Sequence, residues 1–223
     1  MIDRQQSVAS TVLDHSECAA VFQQHRIDFC CGGQLSIEAA AKAKNVDVAA
    51  LLTELERAVA ERKGDAAHDP RERPTPELIA HIIAKHHAYL RKALPFVKML
   101  AAKVGRVHGD HNPKLRELDA AVDELVAALE PHLDEEEQQL FPLLMAGGRD
   151  PAQTSKLLGT MHEDHLAVAR MLERIRAASD DFALPEWACN SYRTLFSELK
   201  QVESDVFAHV HLENNVLKPR FAA

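Results

Sequence analysis

The chain has 223 residues, 46% of them apolar, and a formal net charge of −8. This composition supports a buried core, while the acidic balance and the lack of a basic cluster argue against nucleic acid as a partner. No window approaches the ~18 consecutive apolar residues of a membrane-spanning helix, and the N-terminal residues lack the apolar stretch of a secretion signal. We therefore expect a cytoplasmic protein with neither nucleic-acid nor membrane partners.

The first part of the chain contains short segments with apolar residues at helical spacing, which predict small helices. The segments are 7–13, 16–24, 36–44 and 48–62. Ser16 and Ser36 occupy the N-cap positions of two of them. Between these two helices lies the sequence DFCCGG at 28–33, where the glycine pair permits a tight reversal. We expect this turn to present the adjacent thiols of Cys30 and Cys31 to solvent.

The cysteine pattern bears on both compartment and chemistry. Four cysteines, two of them adjacent, are not the spaced framework of a disulfide-stapled secreted domain, so a reducing compartment is the simpler interpretation. Cys18 and Cys189 are expected to fill core space. Cys30 and Cys31 are candidates for redox chemistry or iron transfer, the alternative being a structural turn with incidental thiols.

Residues 64–76 read GDAAHDPRERPTP, a polar stretch with three prolines that predicts a linker. It separates a small helical domain at 1–63 from a larger domain at 77–223. In the larger domain, one-sided apolar stripes predict four long helices at 76–104, 113–145, 151–178 and 185–216. Short connections make neighbouring helices antiparallel, so the predicted fold class is all-α, a four-helix bundle preceded by a small helical domain.

A duplicated motif, H-x3-E-x3-L-x-P, occurs at 132–142 and again at 209–219. Because positions i and i+4 of a helix project from one face, each copy aims an imidazole and a carboxylate at the same point. The duplication extends to two further histidines, His87 and His165, which precede the two motifs by 45 and 44 residues. Two antiparallel helical hairpins then bring six candidate ligands to one level of the bundle. The predicted metal ligands are His87, His132, Glu136, His165, His209 and Glu213.

The residue types of this set indicate the metal. Four imidazoles and two carboxylates buried in an apolar bundle need a counter-cation, and they suit two iron ions with an oxo or hydroxo bridge and open coordination positions. Zinc and manganese are not excluded by these ligands alone. His86 is an alternative to His87 because the two are adjacent. Glu137 is expected to be solvated, and Asp164 is a candidate for orienting a ligand imidazole.

These residues, with four motifs, resemble the repair of iron centres (RIC) proteins, di-iron members of the haemerythrin-like superfamily. The motifs are DFCCGG at 28–33, H-x3-EE-x2-LFP at 132–142, EDH at 163–165 and H-x3-ENNVL-x-PR at 209–220. The resemblance covers nearly the whole chain. It implies a haemerythrin-like four-helix bundle whose two irons are bridged by Glu136 and Glu213, and an N-terminal domain bearing the vicinal Cys30 and Cys31.

The resemblance also implies a function. Such proteins are associated with restoring iron-sulfur clusters damaged by nitric oxide or peroxide, by supplying iron or by binding and reducing nitric oxide. The partners would be damaged iron-sulfur proteins, a small ligand and an electron donor, with Cys30 and Cys31 passing electrons or transiently holding iron. The alternative is a haemerythrin-like module that binds or senses dioxygen or nitric oxide without turnover. The sequence leaves open both a monomer and a homodimer.

Overall fold

The computed structural model describes residues 1–62 and 69–221, which form two compact units. Unit 1 comprises Met1–Leu78 and Phe207–Ala223, and unit 2 comprises Ile79–Val206. Within the described ranges the chain is helical, with one isolated bridge between Ser7 and Ser36 and no β-strand, so the all-α prediction is confirmed. Residues 64–68 of the predicted linker lie outside the described residues. None of the described helices combines the length and apolar content needed to cross a membrane.

Residues 1–62, the N-terminal part of unit 1, form four short helices. They are α1 (Val8–Asp14), α2 (Cys18–Gln24), α3 (Ile37–Ala43) and α4 (Val48–Ala60). The side chains of Ser7 and Ser36 accept backbone N–H bonds at the starts of α1 and α3, which confirms the Ser36 cap. The Ser16 cap is wrong, because α2 begins at Cys18 after a turn in which the Cys18 N–H donates to the His15 carbonyl. The core of this unit is formed by Val8, Phe22, Ile37, Leu51 and Leu55.

The described residues from Thr75 onward form four long α-helices and two short ones. The short helices are α5 (Thr75–His81) and α8 (Phe141–Met145), and the long helices are α6 (Ala88–His108), α7 (Lys114–Glu135), α9 (Pro151–Ala178) and α10 (Asn190–Leu212). Their apolar stripes, such as Leu90, Leu94 and Val97 on α6, are buried, and this burial provides the main driving force for packing the helices.

Side-chain pairs within unit 2 give the helix directions. Arg91 of α6 pairs with Asp134 of α7, whereas Lys98, two turns later, pairs with the earlier residue Asp123. A residue later in α6 thus pairs with a residue earlier in α7, so the two helices are antiparallel. The same relation holds around the bundle for α7 with α9, α9 with α10, and α10 with α6. For α7 and α9 the pairs are His132–Asp164 and Glu124–Arg174. For the α9 and α10 side of the bundle they are Arg176–Glu203 and Phe182–Phe196. For the α10 and α6 side they are His86–Asp205 and His108–Tyr192.

The fourth long helix begins later than predicted, at Asn190 rather than at 185. Ahead of it, the Ala188 N–H donates to the Pro185 carbonyl in a turn, and the Arg193 guanidinium donates to the Ala188 carbonyl. The segment also follows three residues with positive φ at 180–182. A leucine at 184 offers no capping oxygen, so nothing local favours an earlier helix start.

Three short π-helical segments interrupt the long helices. They are π1 (Ile82–His87), π2 (Glu136–Leu140) and π3 (Glu213–Leu217). Pro142 and Pro219 follow π2 and π3. A proline lacks an N–H and its ring crowds the carbonyl four residues back, and the wider π turn relieves this crowding. No such proline follows π1. Pro95 and Pro131, in contrast, are accommodated within α6 and α7. Since π turns are frequent at functional sites, their coincidence with predicted ligands is informative.

Candidate metal centre

Four of the six predicted ligands lie in unit 2, and all four side chains are buried. The Nε2 atoms of His87 and His132 lie 3.4 and 3.5 Å from Oε2 of Glu136, and the Nε2 of His165 lies 3.9 Å from its Oε1. The exposed fraction of each of the four residues is 4% or less. The structure therefore brings three imidazole nitrogens from three helices to one carboxylate.

Two further carboxylates fix the tautomers of these imidazoles. The Nδ1 of His87 lies 3.0 Å from Oε1 of Glu137, and the Nδ1 of His132 lies 3.3 Å from Oδ2 of Asp164. Because an ionised carboxylate only accepts hydrogen bonds, each Nδ1 must carry the proton and donate it. A neutral ring then has a lone pair on Nε2, and both lone pairs face Glu136. Asp164 thus lies where it could orient the His132 ring, as the sequence suggested.

The charge of Glu136 is not balanced by hydrogen bonds. Among the described residues, neither of its carboxylate oxygens nor the Nε2 of His132 has a hydrogen-bond partner. A buried carboxylate without donors is costly, and facing it with imidazole lone pairs adds repulsion. A cation between them removes both penalties. The donor set, nitrogen from imidazole and oxygen from carboxylate, fits an iron ion and equally suits zinc.

The adjacent residues His86 and His87 have different surroundings. His86 places its Nδ1 2.9 Å from Oδ1 of Asp205 on α10 and its ring edge against His81. His87 stacks on Phe141 and faces Glu136. Within unit 2, the Glu136 cluster therefore includes His87 rather than His86.

His209 and Glu213 belong to unit 1. His209 lies in the last turns of α10, and Glu213 is the first residue of π3, four residues later. Both side chains are fully buried. Placed four residues apart on a helix, they repeat the arrangement of His132 and Glu136, in which the Glu likewise opens a π segment.

A small cavity adjoins Glu136. Its apolar wall is formed by Leu140, Leu157 and Met161, and His132 and Asp164 also line it. A small cavity with an apolar wall beside polar ligand atoms suits a small, weakly polar molecule.

The thiol loop, residues 28–33, is built around one carboxylate. Oδ1 of Asp28 accepts the N–H groups of Cys30 and Cys31, both at 2.9 Å, and Oδ2 accepts that of Gly32 at 2.8 Å. Gly33 is required, because a Cβ there would lie 2.6 Å from the carbonyl oxygen of Phe29. The loop is thus a compact turn held by its own aspartate.

The thiols are less exposed than predicted. Cys30 is 3% exposed, so its predicted presentation to solvent is wrong, whereas Cys31 is half-buried. The contact with the Cys31 sulfur, burial and the Asp28 carboxylate all raise the pKa of Cys30 well above its ordinary value. Cys18 is buried as predicted, and burial raises its pKa to about 12. The core prediction for Cys189 is wrong, because that residue is exposed beside the late start of α10.

The C-terminal residues of unit 1 anchor the loop. Nδ1 of His211 donates to the Phe29 carbonyl at 2.9 Å, and the Phe29 ring packs edge-on against His211 and Phe207. Burial lowers the pKa of His211 to about 4, so the ring is neutral at physiological pH. The side-chain amides of Asn214 and Asn215 donate to the Cys30 carbonyl at 3.2 and 3.0 Å.

Several functional neighbours were missed or misjudged from sequence. Glu137 was expected to be solvated, but it accepts one hydrogen bond from His87 and another from Arg91. The 100° rotation of an ordinary helix would point Glu137 away from the ligands, and π2 changes that register. His211 lies two residues after His209, and Asn214 directly follows Glu213 in the polar run ENN at 213–215. Their closeness to the predicted ligands was the signal available for them.

The comparisons with known proteins agree with this geometry. Residues 78–221 match the model of the haemerythrin HHE cation-binding domain, and residues 4–59 match a domain of unknown function, DUF542. The iron-sulfur cluster repair protein YtfE of Yersinia pseudotuberculosis (strain PB1/+) is 34% identical over 217 residues, covering 97% of this chain and 96% of the relative. The protein of the same name from Yersinia pestis (strain Pestoides F) is 33% identical over the same span. The chain therefore belongs to the haemerythrin HHE cation-binding family, among the iron-sulfur cluster repair proteins, as its motifs suggested.

Proposed function

We propose that this protein repairs iron-sulfur clusters damaged by nitrosative or oxidative stress, using a non-haem di-iron centre. The single observation that carries the proposal is the buried Glu136 carboxylate, which accepts no hydrogen bond among the described residues and is faced by three imidazole nitrogens. The name of the relatives, iron-sulfur cluster repair protein, supports the same use here.

The proposed ligand set contains six residues. His87, His132, Glu136 and His165 come from the cluster in unit 2, and we assign His209 and Glu213 as the remaining two by the repeat of the motif. Six protein ligands for two iron ions leave positions open, so the bound centre would supply redox change and a site for a small ligand such as nitric oxide or dioxygen. The residues themselves set the ring orientation, through Glu137 and Asp164, and exclude bulk water.

The thiol loop supports repair rather than simple carriage of a gas. Residues 207–215 carry His209 and Glu213 and also hold the loop through His211, Asn214 and Asn215. A module that only binds a gas has no need of a turn that tethers two thiols to a helix segment bearing candidate metal ligands. We propose that Cys30 and Cys31 pass electrons from a donor or hold iron in transit, with damaged iron-sulfur proteins as the partners.

Metal analysis and the visible spectrum test the centre directly. Protein purified after growth in iron-rich medium should contain about two irons per chain and show the absorption of a bridged di-ferric site. The variants His132→Ala and His209→Ala should each lose most of this iron. Zinc or copper alone in the purified protein, or full iron retention in both variants, would contradict the assignment.

A second experiment separates the two routes to repair. Nitric oxide is added anaerobically to the reduced protein, and nitrous oxide is measured in the headspace. Gas production supports nitric oxide removal by reduction. Stoichiometric binding without gas, combined with transfer of iron to a cluster-depleted acceptor protein, supports iron delivery. Binding with neither outcome would favour a sensing module instead.

A further inference from the structure

The two adjacent thiols of the loop have different hydrogen-bonding surroundings. The Cys30 sulfur is buried, and it lies 3.3 Å from Oδ1 of Asp28 and 3.6 Å from the Cys31 sulfur. Both neighbours are acceptors for an S–H group. A thiol with two acceptors and no water keeps its proton, because a thiolate at that position would face a carboxylate.

The Cys31 sulfur has donors instead. The side-chain Nδ2 of Asn214 lies 3.6 Å from it, and the same amide group also donates to the Cys30 carbonyl. These two contacts fix the amide orientation, since a flipped Asn214 would turn its oxygen toward two acceptors. The single S–H of Cys30 donates either to Asp28 or to the Cys31 sulfur, so the Asn214 amide is the donor on which Cys31 relies. Donors to sulfur stabilise the negative charge of a thiolate.

We propose that Cys31 is the reacting thiol of the pair, taking soft electrophiles such as low-molecular-weight disulfides, while Cys30 keeps its proton and Asn214 positions and stabilises the Cys31 sulfur. This inference rests on the proposed role of the thiol pair in repair, and it deepens that role by assigning different tasks to the two sulfurs. The partial exposure of Cys31 gives a reagent access that buried Cys30 lacks.

The reaction balances without any group beyond the disulfide. The Cys31 thiol releases its proton to solvent, and its sulfur forms a bond to one sulfur of the reagent. The sulfur-sulfur bond of the reagent breaks, and its other half leaves as a thiolate that takes up a proton. Cys31 is oxidised to a mixed disulfide, and the departing sulfur is reduced.

Site-resolved labelling of the full chain tests the inference. The purified protein is treated with a limiting amount of iodoacetamide and, separately, with glutathione disulfide. Tryptic digestion gives the peptide 27–42, which contains both sulfurs, and fragmentation by mass spectrometry locates the label. We expect Cys31 to react at least about tenfold faster than Cys30 with either reagent. Equal labelling, or faster labelling of Cys30, overturns the proposal without needing any variant.

Two asparagine variants isolate the contact to sulfur. Asn214→Ala removes the donor to the Cys31 sulfur and one donor to the Cys30 carbonyl. Asn215→Ala removes the other donor to that carbonyl and the contacts of Asn215 with Gln34 and His211, but it leaves the Asn214 contact to sulfur in place. Asn214→Ala should slow labelling of Cys31 by roughly fivefold to tenfold, while Asn215→Ala should change it less than about twofold. Equal effects of the two variants would overturn the role of Asn214. Iron content and nitrous oxide production are measured independently, so failure here is distinct from failure of the proposed function.

Discussion

The carboxylates of Asp28 and Glu136 differ in the hydrogen bonds that they accept from the chain. Asp28 accepts three backbone N–H groups from the turn that follows it. Glu136 accepts none among the described residues, although it is buried and surrounded by imidazoles. The first carboxylate is satisfied by the polypeptide alone, and the second is satisfied only by something the polypeptide binds.

This difference separates a structural site from a ligand site without reference to any relative. The thiol loop supplies the acceptor for three of its own N–H groups, so its shape is part of the fold. The Glu136 cluster stores unfavourable electrostatic energy in the absence of a cation, because a buried carboxylate and two lone pairs face one another. Metal binding should therefore change the stability of the cluster strongly and that of the loop weakly.

The largest expected effect comes from Glu136→Gln, which removes the charge and nearly keeps the volume. In metal-loaded protein the variant should bind iron more than about 100-fold more weakly, because an anionic ligand is lost. In metal-free protein it should raise the free energy of unfolding by about 1–3 kcal/mol, because the uncompensated buried charge is gone. Chelator competition measures the loss of iron affinity, and thermal unfolding of the metal-free and metal-loaded forms measures the change in stability.

The control for this variant is Glu130→Gln, an exposed glutamate on the same helix. It should leave iron affinity and stability unchanged within about 0.5 kcal/mol. If Glu136→Gln also destabilised the metal-free protein, the carboxylate would be making a stabilising interaction within the chain, and the contrast with Asp28 would fail.

Asp28→Ala should have the next largest effect, and it should not depend on metal. The substitution leaves three N–H groups of the loop without their acceptor, which costs about 2–4 kcal/mol of unfolding free energy. Denaturant unfolding of metal-free and metal-loaded protein should give the same loss. Asp28→Asn, which retains one acceptor oxygen, should recover part of it. A loss confined to the loaded form would show that the loop itself holds a metal ion.

Much of this architecture follows from periodicity and spacing. The candidate ligands could be named from the sequence because a helix converts the interval between His132 and Glu136 into a shared face, and because the second motif repeats that interval. The start of α10 could not be predicted in this way, because it depends on a turn that Arg193 of α10 itself stabilises. The role of Glu137 was not predictable either, because it depends on π2, where one residue of extra winding changes which side chain faces His87.

In the thiol loop, the turn could be predicted from local sequence but the burial of Cys30 could not. The glycine pair predicts a turn, and Asp28 is a usual residue to begin one. Burial of Cys30 depends on His211, Asn214 and Asn215, which lie more than 180 positions later in the chain. Local sequence cannot report a contact of that range, so exposure was the natural but incorrect expectation for this sulfur.

The orienting carboxylates give a smaller and graded test. Glu137→Ala removes the acceptor for the His87 proton, and iron affinity should fall about 10–100-fold. Glu137→Gln, which keeps an acceptor oxygen, should restore most of that loss. Asp164→Asn should have the weaker effect, near tenfold or below, because its bond to His132 is longer at 3.3 Å and its side chain is 42% exposed.

The readout for these variants includes the visible spectrum of the di-ferric protein as well as affinity. A reoriented imidazole should shift the absorption bands, whereas a merely destabilised fold should lower their intensity in proportion to unfolded protein. Unchanged affinity in Glu137→Ala would mean that ring orientation is set by packing alone, for example by the stacking of His87 on Phe141.

The smallest effect is expected from Arg91→Met, which keeps the apolar stem and removes the charge. Arg91 donates to both Asp134 and Glu137, but its side chain is 39% exposed, and exposed ion pairs contribute about 0–1 kcal/mol. Iron affinity should therefore fall less than about threefold, and the difference from wild type should shrink at high salt. Lys98→Met, which breaks a more exposed pair with Asp123 on the same two helices, is the control and should leave affinity unchanged. A loss as large as that of Glu137→Ala would show that Glu137 cannot hold its position without Arg91, and the cluster that binds the cation would then extend to the protein surface.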